Sequence, residues 1–195
     1  HGFPTTKDEE WKYTSLKKVI SNEYAIENTG EIIDSSTIEK YSLGFDNKII
    51  FSDGKLINKP EIKGVSISSF SNFESATTDS ISQLNKALAQ NGFTIIVNKN
   101  TVVENPIEIL FFATTKDNFS QYRNLISVGD NAEVKFVERI QNLNNSPSMV
   151  NHFTQIHCDK NTKVEYNKIQ NNTAEFRLID TVNVYQEQDS TCDIN

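Results

Sequence analysis

Val97-Asn98-Lys99-Asn100-Thr101-Val102-Val103, Val128-Gly129-Asp130-Asn131-Ala132-Glu133-Val134, Cys158-Asp159-Lys160-Asn161-Thr162-Lys163-Val164 and the weaker Gln186-Glu187-Gln188-Asp189-Ser190-Thr191-Cys192 are four copies of one pattern. An apolar residue precedes a small polar turn centred on Asn or Asp. A small or hydroxyl residue follows, and one position later another apolar residue. The turn residue moves from Asn100 to Asn131 to Asn161 to Asp189, in steps of 31, 30 and 28 residues. A period of that length with strands on both sides of each turn is the signature of a β-solenoid. Asn and Asp tolerate the left-handed backbone conformation and bond their own main chain, so they suit a tight bend between strands.

Working outward from the turns, Ile95/Val97, Ile126/Val128, Ile156/Cys158 and Val184/Gln186 share one parity on the first strand of each coil. Val103, Val134, Val164 and Cys192 match on the strand after the turn. Side chains alternate faces along a strand, so these rows are expected inside. The alternate residues Ile96, Ser127, His157 and Tyr185 are expected outside.

The preceding part reads as a mixed region. Thr6 and Glu9 have capping-box spacing, and Tyr13, Leu16, Val19 and Ile20 form one stripe, which predicts a helix over 7–22 with Trp11 on its flank. Residues 24–37 are polar and read as irregular. Asp53-Gly54 between two apolar runs predicts a hairpin, and Val65–Ser68 a short strand. Ser80 and Gln83, with Ile81, Leu84 and Leu88 on one face and Asn91-Gly92 behind them, predict a second helix over 80–90 that caps the first coil. Residues 114–122 and 141–151 read as loops. The division expected is residues 1–92 as a small α+β region capping the solenoid and residues 93–195 as the first coils of a parallel β-helix. The chain starts at His1 rather than Met, and its last coil stops soon after its turn, so the reading expects the front part of a longer protein.

A net charge of −7 and a pI near 5.0 leave no basic stripe for phosphates, which disfavours nucleic acid. No apolar run reaches membrane-spanning length. Two cysteines, Cys158 and Cys192, make no secreted-type disulfide framework, and both fall on interior rows, so they read as structural thiols in a reducing cytoplasm. The triplets Asn118-Phe119-Ser120 and Asn171-Asn172-Thr173 are chance products of an Asn-rich composition.

Catalytic patterns are missing from the sequence. No Gly-x-x-x-x-Gly-Lys occurs, so ATP hydrolysis would come from a partner, and there is no Gly-x-Ser-x-Gly elbow. His152 and His157 are an odd number of residues apart and diverge, as do His157 and Cys158, so they are not expected to grip one metal. The bland reading is outward histidines and an inward cysteine. Glu9 and Glu10 diverge by about 100° on a helix and serve its positive end. No catalytic, cofactor-binding or metal-binding residue is assigned. Trp11 and Tyr13 read as core residues of the first helix or as contacts to a partner subunit, and the Asn100, Asn131, Asn161 and Asp189 series as a structural ladder.

The run Pro4-Thr5-Thr6-Lys7-Asp8-Glu9-Glu10-Trp11-Lys12-Tyr13-Thr14-Ser15-Leu16 resembles the N-terminus of the SufD branch of the SufB/SufD family, part of the SUF iron–sulfur cluster assembly system. So do Leu84-Asn85-Lys86-Ala87-Leu88 through Gly92-Phe93, the Val97 to Leu110 segment with Pro106-Ile107, and the coil from Ile126 to Val134. The resemblance implies a right-handed parallel β-helix behind a mixed N-terminal region. It also implies a non-catalytic scaffold that pairs with SufB and carries the SufC ATPase, with clusters assembled on the full complex. The parts of the family that meet SufB and SufC, and its cluster-related Cys and His positions, lie later than this chain reaches, so none is carried over. Two other readings stand beside it. One is an extracellular carbohydrate-binding or carbohydrate-processing β-helix, disfavoured because the outward row Ile96, Ser127, His157 and Tyr185 holds no acid or Arg. The other is a self-associating module, since an open solenoid end can form a homodimer with its own copy.

Overall fold

The computed structural model describes residues 2–26, 30–70, 73–144, 146–172 and 175–195, without the side chains of Glu10, Lys18 and Val19. Asn145 and Thr173, which the loop and triplet readings used, lie outside the described residues. The four Asn/Asp turns are left-handed as expected: Asn100, Asn131, Asn161 and Asp189 have φ of 59°, 57°, 56° and 57°. They also lie over one another. Asn131 donates its amide to Asn100 Oδ1 at 3.0 Å, and Asn161 donates to Asn131 Oδ1 at 3.2 Å.

Stacked turns oblige the flanking strands to pair in parallel, and two sheets result. The first contains β4 (Phe93–Val97), β6 (Phe119–Val128), β8 (Ser148–Cys158) and β10 (Phe176–Gln186), joined in that order. The second contains β1 (Asn47–Ser52), β5 (Ile107–Ala113), β7 (Glu133–Asn142), β9 (Lys163–Ile169) and β11 (Thr191–Ile194). The molecule is mainly β, a parallel solenoid of about three turns behind a small α+β region. Ile95, Ile126 and Ile156 stack in register and are fully buried, as are Val97 and Val128 with Cys158. Gln186 and Tyr185 of the last coil are exposed.

The first coil carries two extra residues. Val102 pairs with Glu133, a step of 31, whereas Ile107 pairs with Phe136, a step of 29. The surplus falls at Glu104-Asn105-Pro106, where proline has no N–H to continue a ladder. Loops elsewhere are shorter than the sequence reading has them. β6 begins at Phe119, β7 runs to Asn142, and β8 starts at Ser148, because those polar residues pair in register with neighbouring coils.

Each sheet ends on an antiparallel strand from the N-terminal region. β2 (Lys55–Asn58) pairs with β1 through the Asp53-Gly54 turn, and β3 (Val65–Ser69) pairs with β4. Gly54 is required there: its φ is 81°, and a Cβ would lie 2.4 Å from Asn91 Cβ and 2.7 Å from the Tyr122 ring. The helices lie on the flat outer faces instead. α3 (Ser80–Leu88) packs against β6 and β8. It is capped by Asp79, which accepts from Ser82 N–H at 2.9 Å, rather than by Ser80. Its buried face is Ile81, Ser82 and Asn85, and Leu88 is exposed. Asn85 explains the rotation: its amide donates to the carbonyls of Tyr122 and Asn151, which edge the face beneath.

Two N-terminal expectations need correction. The helix over 7–22 is instead a 3₁₀ turn at Glu9–Trp11 and a short α1 at Lys17–Ile20. Asp8 turns back to accept from Thr5 N–H at 2.7 Å, so the Thr6/Glu9 box does not form. The Trp11-to-Ser15 run favours helix weakly. Tyr13 is 93 % exposed, while Leu16 is buried. Within the segment read as irregular, α2 (Ser35–Tyr41) begins under an Asp34 cap, which accepts from Thr37 N–H at 2.7 Å. Ile38 and Tyr41 cover Ile50, Leu110 and Phe112 on the outer face of the second sheet.

Candidate functional site

Along the second sheet, one interior row reads Ile109, Glu138, Lys168. Facing it on the first sheet, another reads Tyr122, His152, Asp180. Register alone therefore carries the centre of the solenoid from apolar and aromatic to ionic as the chain winds. Glu138, His152 and Tyr166 are buried, and Lys168 and Asp180 are nearly so.

Lys168 Nζ is the hub of this cluster. It donates to Asp180 Oδ1 and Oδ2 at 2.7 and 2.6 Å and lies 3.2 Å from Glu138 Oε1. Tyr166 donates its hydroxyl to Glu138 Oε2 at 2.6 Å. Asn124 fixes the histidine. Its Oδ1 accepts from Phe93 N–H at 3.2 Å, so its amide nitrogen faces His152 Nε2, at 2.8 Å. Nε2 also lies 3.6 Å from Glu138 Oε2, and Nδ1 lies 3.2 Å from Asp180 Oδ1, so the ring bridges the two carboxylates.

Burial pushes the Asp180 carboxyl up, but the bond from His152 and the Lys168 ammonium outweigh it and hold the group at about 2. Burial pulls the Lys168 ammonium down, and the two carboxylates overcome that and raise it. Burial, reinforced by the Glu138 charge, raises Tyr166 well above the ordinary phenol range. The arrangement holds charge and protons in a fixed pattern. It does not form a metal cage: the two carboxylates lie on opposite sides of the imidazole, and the ammonium fills the space between them. Among the described residues no three His, Cys, Asp or Glu side chains are grouped to hold a metal ion.

His152 is a correction to the reading of outward histidines, since it sits on the same parity as Ile156 and Cys158 and is fully buried against Phe111. His157 does face out, stacked on Tyr185 with centroids 4.9 Å apart. Cys158 faces in. The cluster of Glu138, Tyr166, Lys168 and Asp180 was not anticipated, although a signal existed: Glu138 and Lys168 occupy an interior parity of the repeat with opposite charges.

The outer face under α3 carries a second polar arrangement. Arg123 is 1 % exposed and lies between the rings of Phe73 and Phe153, at 4.5 and 4.4 Å from their centroids. Its guanidinium donates to Asn85 Oδ1 and the Phe73 carbonyl, both at 3.3 Å. This ties α3 and its approach segment to the solenoid.

Two parallel sheets joined by stacked asparagine turns, with a charged interior in the later coils, are the geometry over which a known family can be compared. Residues 111–195 match the SufBD core domain of the SUF system for FeS cluster assembly. The match runs from the middle of β5 through β11 and so takes in the asparagine turns from Asn131 onward and the whole ionic cluster. It supports the SufB/SufD family, and with it a part in SUF iron–sulfur cluster assembly, without separating SufD from SufB. A search among curated proteins finds no match for the chain. Among the described residues no helix is long and apolar enough to cross a membrane.

Proposed function

We propose that the chain is the front part of a SufD-type scaffold subunit, non-catalytic itself, that acts in the cytoplasm with a SufB-like homologue and a SufC-like ATPase. The observation that carries this reading is the SufBD core match, which falls on the stacked-coil part of the molecule. The N-terminal Glu9-Glu10-Trp11-Lys12-Tyr13-Thr14 signature favours the SufD branch. The absence of a phosphate-binding Gly-x-x-x-x-Gly-Lys run agrees with an ATPase supplied in trans. In this reading residues 1–92 serve as the cap and residues 93–195 as the opening coils. The cluster is cargo assembled on the complete complex, in which the SufB-like and SufC-like subunits take part. Exposed Tyr13 is then free to contact a partner.

The test is co-expression of the complete reading frame with SufB-like and SufC-like subunits. A stoichiometric complex that supports cluster transfer to an apo-ferredoxin is expected. A soluble, folded full-length protein that co-purifies with neither subunit would overturn the assignment.

A further inference from the structure

Among the described residues β3 is the outermost strand of the first sheet, paired only with β4 along its length. In an antiparallel ladder the backbone groups of successive residues point to alternate sides. Gly64 O accepts from Asn98 N–H at 2.8 Å, so Gly64, Ser66 and Ser68 face β4. Val65, Ile67 and Ser69 therefore turn their N–H and C=O groups away from it. The segment crossing from β2 engages two of these outward groups: Val65 N–H donates to Ile62 O at 3.0 Å, and the Lys59 ammonium donates to Ile67 O at 2.8 Å. Ile67 N–H and both groups of Ser69 are left for a further strand.

The crossing segment and β3 also enclose a groove of about 610 Å³, lined by Lys59, Glu61, Ile62, Lys63, Ser66 and Ile67 among others. Ile62 and Val65 pack against the solenoid core, which anchors its floor. The rim is basic although the chain has a net charge of −7, since Lys59 and Lys63 stand beside a single acid, Glu61. Lys59 is bonded to a neutral carbonyl, and neither lysine meets a carboxylate among the described residues. A lysine at a sheet edge repels strands that bring no opposite charge. A second copy of this chain would bring its own Lys59 and Lys63 to the same rim, whereas a strand carrying carboxylates meets the opposite sign.

We propose that the β3 edge and its groove are a docking surface for an extended acidic segment of a partner protein, which adds to the first sheet as a further strand. Its backbone pairs with Ile67 and Ser69, and one of its carboxylates takes the Lys59 ammonium from Ile67 O, freeing that carbonyl for the new ladder. Main-chain bonds supply affinity in such an addition, and the two ammoniums choose the sequence. The surface lies in the N-terminal region and does not depend on the scaffold reading.

The experiment titrates the intact protein into a fluorescein-labelled acidic heptapeptide, Glu-Thr-Glu-Val-Glu-Thr-Glu, and follows amide hydrogen exchange in the complex. Saturable binding that weakens with added salt is expected, with slower exchange at Ile67 and Ser69. Lys59→Met should weaken binding roughly tenfold and Lys63→Met about threefold. Ser69→Pro removes an outward N–H and no bond to β4, so it should weaken binding without unfolding the sheet. The peptide Glu-Pro-Glu-Val-Glu-Pro-Glu, of equal charge but unable to pair along its length, should bind at least tenfold more weakly. The proposal fails if the parent does not bind, if the proline peptide binds as well as the first, or if protection falls outside β3. It fails equally if Ile67 and Ser69 become protected without peptide as the protein self-associates, because the occupant is then a second copy. The exchange measurement needs no variant, so a substitution that unfolds the protein leaves the test intact.

Discussion

The two ends of the solenoid interior solve the same packing problem with different chemistry. At the first coils the centre is a stack of rings. Phe51 lies on Phe111 at 4.6 Å, Phe111 on Tyr122 at 5.4 Å, and Phe93 joins them, all buried. One coil on, the row of Tyr122 holds His152 and then Asp180, and the row beside that of Phe111, which starts at Ile109, holds Glu138 and then Lys168. Ring stacking is tolerant, since each ring gains from contact area whatever its neighbour. A charged centre is not, because every buried ion needs its partner present. The backbone ladder is indifferent to which of the two fills it.

The comparison is broken most severely on the aromatic side. Phe111→Ala should cost about 3–5 kcal/mol, seen as a lower midpoint in urea with little dependence on pH. Next comes the ionic side. Lys168→Met leaves two carboxylates without their ammonium and should cost about 2–3 kcal/mol near neutral pH, somewhat under the full price of a stranded buried charge because Lys168 and Asp180 are 11 and 16 % exposed. Adding Glu138→Gln and Asp180→Asn to that variant should restore much of the loss. If it does not, the cluster contributes shape rather than charge balance.

Acid sharpens the contrast further. Asp180 is held at about 2, below the value of about 3.9 for an unfolded chain. Its contribution is therefore complete above about pH 4 and lost as pH falls through 2. Stability measured by denaturant between neutral pH and pH 2 should fall less steeply in Asp180→Asn than in the parent, and Phe111→Ala should keep the parent slope.

Smaller effects test the frame that both ends share. Asn131→Ala places a Cβ-bearing residue without a compensating amide at φ 57° and removes two ladder bonds. A loss of about 1–2 kcal/mol is expected, with Asn131→Gly milder, in thermal unfolding. Asp34→Ala removes only the α2 cap, outside the coils, and should cost about 1 kcal/mol, with hydrogen exchange increasing locally around α2.

Legibility followed the same division. The coils could be read because the period repeats one local rule, and each copy of the Asn turn confirms the next. The Asp53-Gly54 hairpin and β3 were legible for the same local reason. The N-terminal helices were misjudged where a side chain answers to a distant element. Leu88 looked like core, but Asn85 turns α3 toward the carbonyls of Tyr122 and Asn151. Similarly, α2 lies in a polar segment whose few apolar residues meet Phe112 and Leu110 across the sheet. The charged cluster stayed hidden because His152, Lys168 and Asp180 are far apart along the chain, and the expectation for a lone histidine on a strand is the solvent side.

What the amino acids determined unaided is the winding: a left-handed-tolerant residue at each bend, alternating aliphatic positions around it, and a motif resembling a scaffold family. Tertiary structure alone decided which polar residues go inside. Burying an ion costs more than any local preference can return, so its place depends on a counter-charge delivered by another coil, and that meeting exists only once the coils are stacked.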